Sequence, residues 1–180
     1  MTKKRKTNSV TNLKSALIDL LLEMEYSKIT IGNITQRANV SRGTFYQHFL
    51  DKDDLAYSIG TETMQRFWEI LAQGNLDKED MLLKALLLIK NDYKHFKAIS
   101  KAPHVQFKDK VQQLICDLIN KNPAIREKIK KKTKISDEIV IKAFSTSFET
   151  IISSWIDNDL SESPEKVVDN IIKIEQLFWK

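Results

Sequence analysis

Between Ser41 and Phe49 the sequence SRGTFYQHF puts two hydroxyls, a guanidinium, a glycine, a phenol, a carboxamide and an imidazole into nine positions, together with two phenylalanines. Such groups suit the holding of a polyanion and the reading of hydrogen-bonding edges. Arginine favours guanine O6 and N7, glutamine favours adenine, and a threonine methyl can meet a thymine methyl, so Arg42, Thr44 and Gln47 are candidate base readers. Plainer uses compete: Tyr46 could be a partly buried core tyrosine, His48 could cap or pack, and Arg42 and Gln47 could simply solvate a helix face. Bond-breaking chemistry has no support, since the chain has no P-loop or dinucleotide glycine pattern, no HExxH, no nucleophile elbow and no Cys/His dyad. Neither a cofactor nor a metal is expected: His95, His104 and Cys116 offer no ligand pair at helical i, i+4 spacing.

A surface of this kind must be carried by elements that hold it still. Phe45 and Phe49, four apart, turn inward together on a helix beginning at Arg42, leaving Gly43, Tyr46 and Gln47 on its other sides. Ser41 is placed to accept from a backbone N–H at that helix's start. Before it, Thr30 is an N-cap for a short helix from about Ile31 to Ala38, and Asn39 suits a left-handed C-terminal cap. The preceding stretch TNLKSALIDLLLEMEY is amphipathic, with Leu13, Ala16, Leu17, Leu20, Leu21 and Met24 at i, i+3, i+4, i+7 spacing. Residues 1 to 8 are expected to stay outside it. Asp51 as N-cap, Asp54 at the third position and a Leu50–Leu55 staple predict a further helix running to about Gln73 and Gly74. Within it, Gly60 implies close packing or a bend. A three-helix unit with a sharp turn between its second and third helices is a helix-turn-helix, whose third helix enters the major groove.

Beyond it the spacing predicts helices near 77–100, 104–121, 123–133, 136–158 and 164–179. Their starts are marked by Asp77, Asn122 before Pro123, Ser136, and Ser163 before Pro164. With four glycines and three prolines in 180 residues, the expectation is an all-α fold of about nine helices. One cysteine, no apolar leader in MTKKRKTNSV and no apolar run near the roughly 20 residues that span a bilayer point to a cytoplasmic protein without a membrane segment.

The net charge of +5 is unevenly spread: residues 1 to 52 hold nine Lys/Arg against four Asp/Glu, and the rest is balanced. Lys3, Lys4, Arg5, Lys6, Lys14, Lys28, Arg37, Arg42 and Lys52 could form a polyanion footprint. The run KIKKKTK at 128–134 reads as a solvated face and turn.

The segment ITIGNITQRANVSRGTFYQHFLDKDDL, residues 29 to 55, resembles the DNA-binding signature of the TetR family of bacterial transcriptional regulators. Thr30, Ile34, Ala38, Val40, Ser41, Gly43, Thr44, Tyr46, Phe49, Lys52 and Leu55 carry the resemblance, which extends over roughly the first 55 residues. Asn39 stands where the family usually has glycine and tolerates the same backbone angles. The resemblance implies phosphate contacts from Thr30, Ser41, Gly43, Tyr46, His48 and Lys52, with double-stranded operator DNA as partner. It also implies a division at 52/53 into a DNA-binding domain, 1–52, and a larger domain, 53–180, that binds a small-molecule effector and forms a two-fold dimer. Phe67, Trp68, Tyr93, Phe96, Phe107 and Cys116 are candidate effector lining, with ordinary core as the competing use. The last two long helices carry apolar faces wider than one small domain needs, so Phe148, Ile151, Ile152, Trp155, Ile171, Ile174 and Phe178 are candidates for a homodimer interface. The leading expectation is a ligand-released repressor on a palindromic site. An accessory regulator of the same fold, acting through a protein partner or as an activator, is the alternative.

Overall fold

The computed structural model describes residues 2–71, 78–123, 126–127 and 135–179, with side chains for all of these except 2–7, 71, 178 and 179. Gly74, Asp77, most of the helix expected over 123–133 and the KIKKKTK run therefore lie outside the described residues. Among the described residues there are nine α-helices, two short 3-10 turns and no strand. They are α1 (Thr2–Glu23), a 3-10 turn (Tyr26–Lys28), α2 (Ile31–Arg37), α3 (Arg42–Tyr46), α4 (Lys52–Leu71), α5 (Lys78–Asn91), α6 (Tyr93–Ser100), a second turn (Pro103–Val105), α7 (Phe107–Asn120), α8 (Asp137–Asp157) and α9 (Pro164–Trp179).

The chain forms two compact units. One comprises the described residues through Gln65 together with Asp92–Phe107; the other comprises Arg66–Asn91 and the described residues from Lys108 onward. The unit that holds the helix-turn-helix thus runs past residue 52 and takes in a distant segment carrying α6 and the second 3-10 turn.

Within the first unit, α1 packs on α2 and α6, and α2 packs on α3. Leu13, Ala16, Leu17, Leu20 and Leu21 of α1, Ile34 and Ala38 at α2, and Phe45 and Phe49 after the turn are all buried. This is the apolar set that the i, i+3, i+4 spacing selects, except that Met24 is only half-buried. Phe96, Ala98 and Ile99 add the α6 side of the same unit. Burying a side chain such as Phe45 contributes about 2–3 kcal/mol, so a few such residues fix the angles between very short helices.

Three expectations change. The first helix begins at Thr2 rather than near Thr11, so residues 2 to 8 continue α1. The helix expected over 77–100 is two, because Asp92 (φ −122°, ψ 38°) leaves the helical region between α5 and α6. The helix expected from 104 starts at Phe107, because Gln106 adopts a left-handed conformation (φ 54°) after the 3-10 turn. None of these breaks carries glycine or proline at the deviating residue, so composition gave no warning. Through Gly60, which is buried, α4 runs unbroken.

In the second unit, α9 packs on α5 and α8. Leu86 and Ile89 of α5, Val140, Ile141 and Phe144 of α8, and Val167, Val168 and Ile171 of α9 are buried there. Ser136 caps α8 by accepting from Ile139 N–H, and Lys166 N–H reaches Ser163 Oγ at the start of α9, as the sequence markers require. The link between them closes with Leu160 N–H on Trp155 C=O (2.9 Å) and Asp159 N–H on Ile156 C=O, both residues left-handed.

Candidate nucleic-acid interface

The geometry of α2 and α3 is fixed by caps. Thr30 Oγ1 accepts from Asn33 N–H at 3.1 Å while Asn33 Oδ1 accepts from Thr30 N–H at 2.9 Å, a reciprocal capping box. At the other end Asn39 is left-handed (φ 52°), Val40 N–H reaches Thr35 C=O at 3.0 Å and Asn39 N–H reaches Gln36 C=O at 3.2 Å. This pair of bonds is a Schellman ending, which satisfies carbonyls that a helix terminus otherwise leaves open. Ser41 then caps α3, its Oγ accepting from Thr44 N–H at 3.0 Å and bonding Thr44 Oγ1 at 2.9 Å. Although α3 proper is five residues, Phe49 N–H still reaches Phe45 C=O at 3.0 Å, so helical bonding covers the two turns expected of a recognition helix.

Against that frame the side chains divide. Phe45 is fully buried, and the neighbouring Tyr46 is 59% exposed with its ring edge-on to Phe45. Arg42, Gly43 and Gln47 are exposed; Thr44 and His48 are half-buried. Gly43 has ordinary helical angles, and a Cβ there would meet only Ser41 Oγ at 3.6 Å, so nothing inside the protein requires the glycine. At Gly32, a Cβ would fall 2.9 Å from Nη2 of Arg42, so the guanidinium lies across the first turn of α2. The His48 Nε2 atom is buried and has no hydrogen-bond partner among the described residues, which turns that nitrogen away from the outer surface.

The start of α4 is capped by carboxylates. Asp51 Oδ1 accepts from Asp54 N–H at 2.8 Å, and Asp54 Oδ2 accepts from Leu50 N–H at 3.0 Å. The expected Leu50–Leu55 staple does not form: Leu55 is fully buried while Leu50 is 83% exposed. Lys52, expected on phosphate, instead donates to Tyr26 C=O (2.7 Å) and Ile29 C=O (2.8 Å), with its ammonium 4.1 Å from the Tyr26 ring centroid. Two of its three N–H groups thereby hold the turn that leads into α2.

Internal partners also occupy other cations of the basic region. Arg37 makes a two-pronged pair with Glu23 (2.8 and 2.7 Å), which holds the Glu23 carboxyl below its usual range. Lys14 pairs with Glu62, and Lys28 with Glu25 at 3.3 Å. The side chains of Lys3, Lys4, Arg5 and Lys6 lie outside the description.

Periodicity could not have found one cluster of this unit. Tyr26 Oη donates to Asp53 Oδ1 at 2.5 Å, and Asp53 Oδ2 lies 3.6 Å from Nδ1 of His104, whose ring stands 5.4 Å from that of Tyr26. Burial first, and then the Asp53 carboxylate, push the Tyr26 phenol well above its ordinary range, so it remains a donor. The three residues come from stretches about 27 and 51 positions apart, beyond the reach of any local spacing rule.

The six candidate effector-lining residues fall three to each unit. In the first, Phe96 is fully buried, Phe107 meets it at 5.9 Å, and Tyr93 is half-buried. In the second, Phe67 is buried, the Lys121 ammonium lies 4.6 Å from the Trp68 ring centroid, and Cys116 Sγ donates to Ser145 Oγ at 3.3 Å. His95, at 2.8 Å from Thr63 Oγ1, His104 and Cys116 each turn to a different neighbour. A groove of about 550 Å³ lies between α8 and α9, and its lining includes Thr150, Ile151, Ser154, Trp155, Lys173 and Ile174. Three candidate dimer residues, Ile151, Trp155 and Ile174, are thus brought together, and Phe148 and Ile152 are half-buried on α8. Trp155 and Ile171 are buried within their own unit, Trp155 donating its indole N–H to Glu162 C=O at 2.9 Å. The Phe178 side chain lies outside the description.

Comparison with known proteins agrees with this geometry. Residues 15–59 match the model of bacterial regulatory proteins of the tetR family, and residues 77–176 match the model of a transcriptional regulator C-terminal region. An uncharacterized HTH-type transcriptional regulator of Bacillus subtilis, YxbF, is 40% identical over 48 residues, which span 26% of this chain but 13% of that protein. The fatty acid metabolism regulator protein of the same organism is 21% identical over 174 residues, 87% of this chain and 88% of its own. A TetR transcriptional regulator from Streptococcus agalactiae superposes with a TM-score of 0.71 at 18% identity, over 95% of each chain. Two matching models that between them cover the helix-turn-helix and most of the second unit leave one assignment: this chain belongs to the TetR family of DNA-binding transcriptional regulators.

Proposed function

We propose that the protein acts as a homodimeric repressor on a palindromic operator and that a small-molecule effector, bound by the second unit, releases it. The observation that carries the DNA side is the pairing of Phe45, fully buried, with Tyr46, its neighbour, standing in solvent on a helix held at both ends by caps. An exposed aromatic on a rigid, basic unit supports a phosphate contact, Ser41 and Gly43 add a hydroxyl and close approach beside it, and Thr30, whose N–H and hydroxyl both go to Asn33 Oδ1, brings the start of α2 to the same phosphate. Arg42, Thr44 and Gln47 remain the base readers. His48 meets phosphate only through the edge away from its buried Nε2. Lys52 serves the interface from behind, by holding the Tyr26–Ile29 turn. The effector site draws on the candidate residues that the second unit itself carries, Phe67, Trp68 and Cys116, and the protein acts in the cytoplasm, where its DNA is.

The dimer reading draws support from the outer face of α8 and α9. Ala143, Thr146, Thr150 and Ser154 are small and exposed, and Ser147 and Thr150 spend their hydroxyls on the Ala143 and Thr146 carbonyls (2.9 and 2.8 Å). Ile151 and Ile174 flank them in the groove, and Ile139 and Leu177 stand exposed nearer the helix ends. Such a face allows a second pair of helices to approach closely, which would set two recognition helices roughly 34–36 Å apart, one turn of DNA.

Footprinting on the region upstream of the gene tests the proposal, with a dimer expected to protect two half-sites of opposite polarity. The matched regulator of fatty acid metabolism makes fatty acids the first effectors to try. A releasing effector must bind free dimer more tightly than operator-bound dimer. Equal affinity for the two forms removes a compound from that role, and protection of a single half-site by a monomer contradicts the dimer.

A further inference from the structure

The Tyr26–Asp53–His104 cluster has no part in the base or phosphate contacts just assigned. It nevertheless joins three connections of the first unit: the turn between α1 and α2, the first turn of α4, and the turn between α6 and α7. Asp53 is its hub, receiving the Tyr26 hydroxyl on one oxygen and facing His104 with the other. The adjacent Lys52 is tied to the Tyr26 and Ile29 carbonyls, so the same short stretch of α4 holds the entrance to α2. Asp51 is separated from Phe49 by Leu50 alone and Asp54 accepts from the Leu50 N–H, so the start of α4 is tied to the chain that leaves α3. His104 belongs to a segment whose two ends, at Asp92 and Phe107, both lead into the second unit.

We infer that His104, through its contact with the Asp53 carboxylate, is a positioning residue for DNA binding, setting the angle at which the helix-turn-helix is presented although it lies more than 50 residues beyond it. The inference rests on the DNA-binding reading above. At 3.6 Å the contact is longer than a hydrogen bond and is an ion pair when the imidazole carries its second proton, so its strength then follows the charge at position 104 and not the shape of the ring. Both side chains are about half exposed, which keeps the effect moderate; a dimer carries it twice.

The test first selects a binding sequence from random DNA with the wild-type protein, then measures affinity for it with His104→Ala, His104→Lys and His104→Glu, after circular dichroism confirms the fold of each. The alanine variant is expected to lose about three- to tenfold, lysine to return to within about twofold of wild type, and glutamate to lose more than alanine. All four slopes of log affinity against log salt should coincide, because no phosphate contact is touched. In an Asp53→Asn background the His104 variants should converge. Alanine binding as tightly as wild type, lysine and glutamate behaving alike, or a His104 penalty that persists without the Asp53 carboxylate would each overturn the inference. Failure of the wild type to select any sequence overturns the DNA-binding reading itself, and that is seen before a variant is made.

Discussion

The outer faces of α3 and of α8 both present hydroxyl-bearing helices to solvent, but they use their hydroxyls in opposite ways. On α3, Ser41 and Thr44 bond each other and a free N–H at the helix start, so the hydroxyls build the terminus and leave Tyr46 and Gln47 pointing outward. On α8, Ser147 and Thr150 fold back onto carbonyls of their own helix, and the face they leave is small and weakly polar. The first arrangement presents donors to a charged ligand; the second removes polarity from a surface that a like surface can then cover. A hydroxyl's meaning therefore depends on whether the backbone group it meets is orphaned or already paired.

That contrast can be broken from either side. The largest effect is expected for Phe45→Ala, which empties the centre beneath α3 and should cost about 3–5 kcal/mol in denaturant unfolding. On α8, Thr150→Arg should leave helical content intact yet weaken self-association by roughly 3 kcal/mol in sedimentation equilibrium, since it places an unpaired charge in the covered face. Self-association equal to wild type would move the dimer elsewhere. Asn39→Val forces a β-branched residue into the left-handed ending of α2 and should cost about 1–2 kcal/mol of melting stability, whereas Asn39→Gly should not destabilise. Ser41→Ala removes one cap and should cost about 1 kcal/mol. The smallest effect concerns Glu23, whose carboxyl is lowered by the Arg37 hydrogen bond: that contribution is present above the ordinary carboxylate range and is lost as pH falls through the lowered value. Glu23→Gln should therefore flatten slightly the acid side of the melting-temperature profile.

How far the sequence could be read follows the same division. Thr30, Asn39 and Ser41 announce their structures because capping and left-handed turns depend on one residue and its immediate neighbours, and the Phe45/Phe49 spacing identifies the inner face of α3. At the start of α4 the expected Asp51 and Asp54 caps form and the expected Leu50–Leu55 staple does not, because whether an apolar residue before a helix folds back onto it depends on the entry angle of the chain, which spacing does not specify. Lys52 shows a different limit: a lysine beside a DNA-binding motif points to phosphate, and only the fold shows that two of its N–H groups hold the carbonyls of Tyr26 and Ile29. The Asp53–His104 contact joins stretches about 51 positions apart, which no window of sequence contains, and the breaks at Asp92 and Gln106 fall on residues that are neither glycine nor proline. For the second unit, periodicity locates the helices but not which apolar residues turn inward: the dimer-interface candidates Trp155 and Ile171 are buried within their own unit.

The central claim, that the capped and outward-facing surface of α3 reads DNA, is tested most directly by titrating binding to the selected sequence and to a scrambled one across salt concentrations, with wild type and Gln47→Ala. The claim predicts a steep linear fall of log affinity with log salt, at about 0.9 per phosphate contact, an offset between the two sequences, and an offset that shrinks in Gln47→Ala while the slope stays unchanged. A flat salt response, or equal affinity for the selected and scrambled sequences in the wild type, would contradict it.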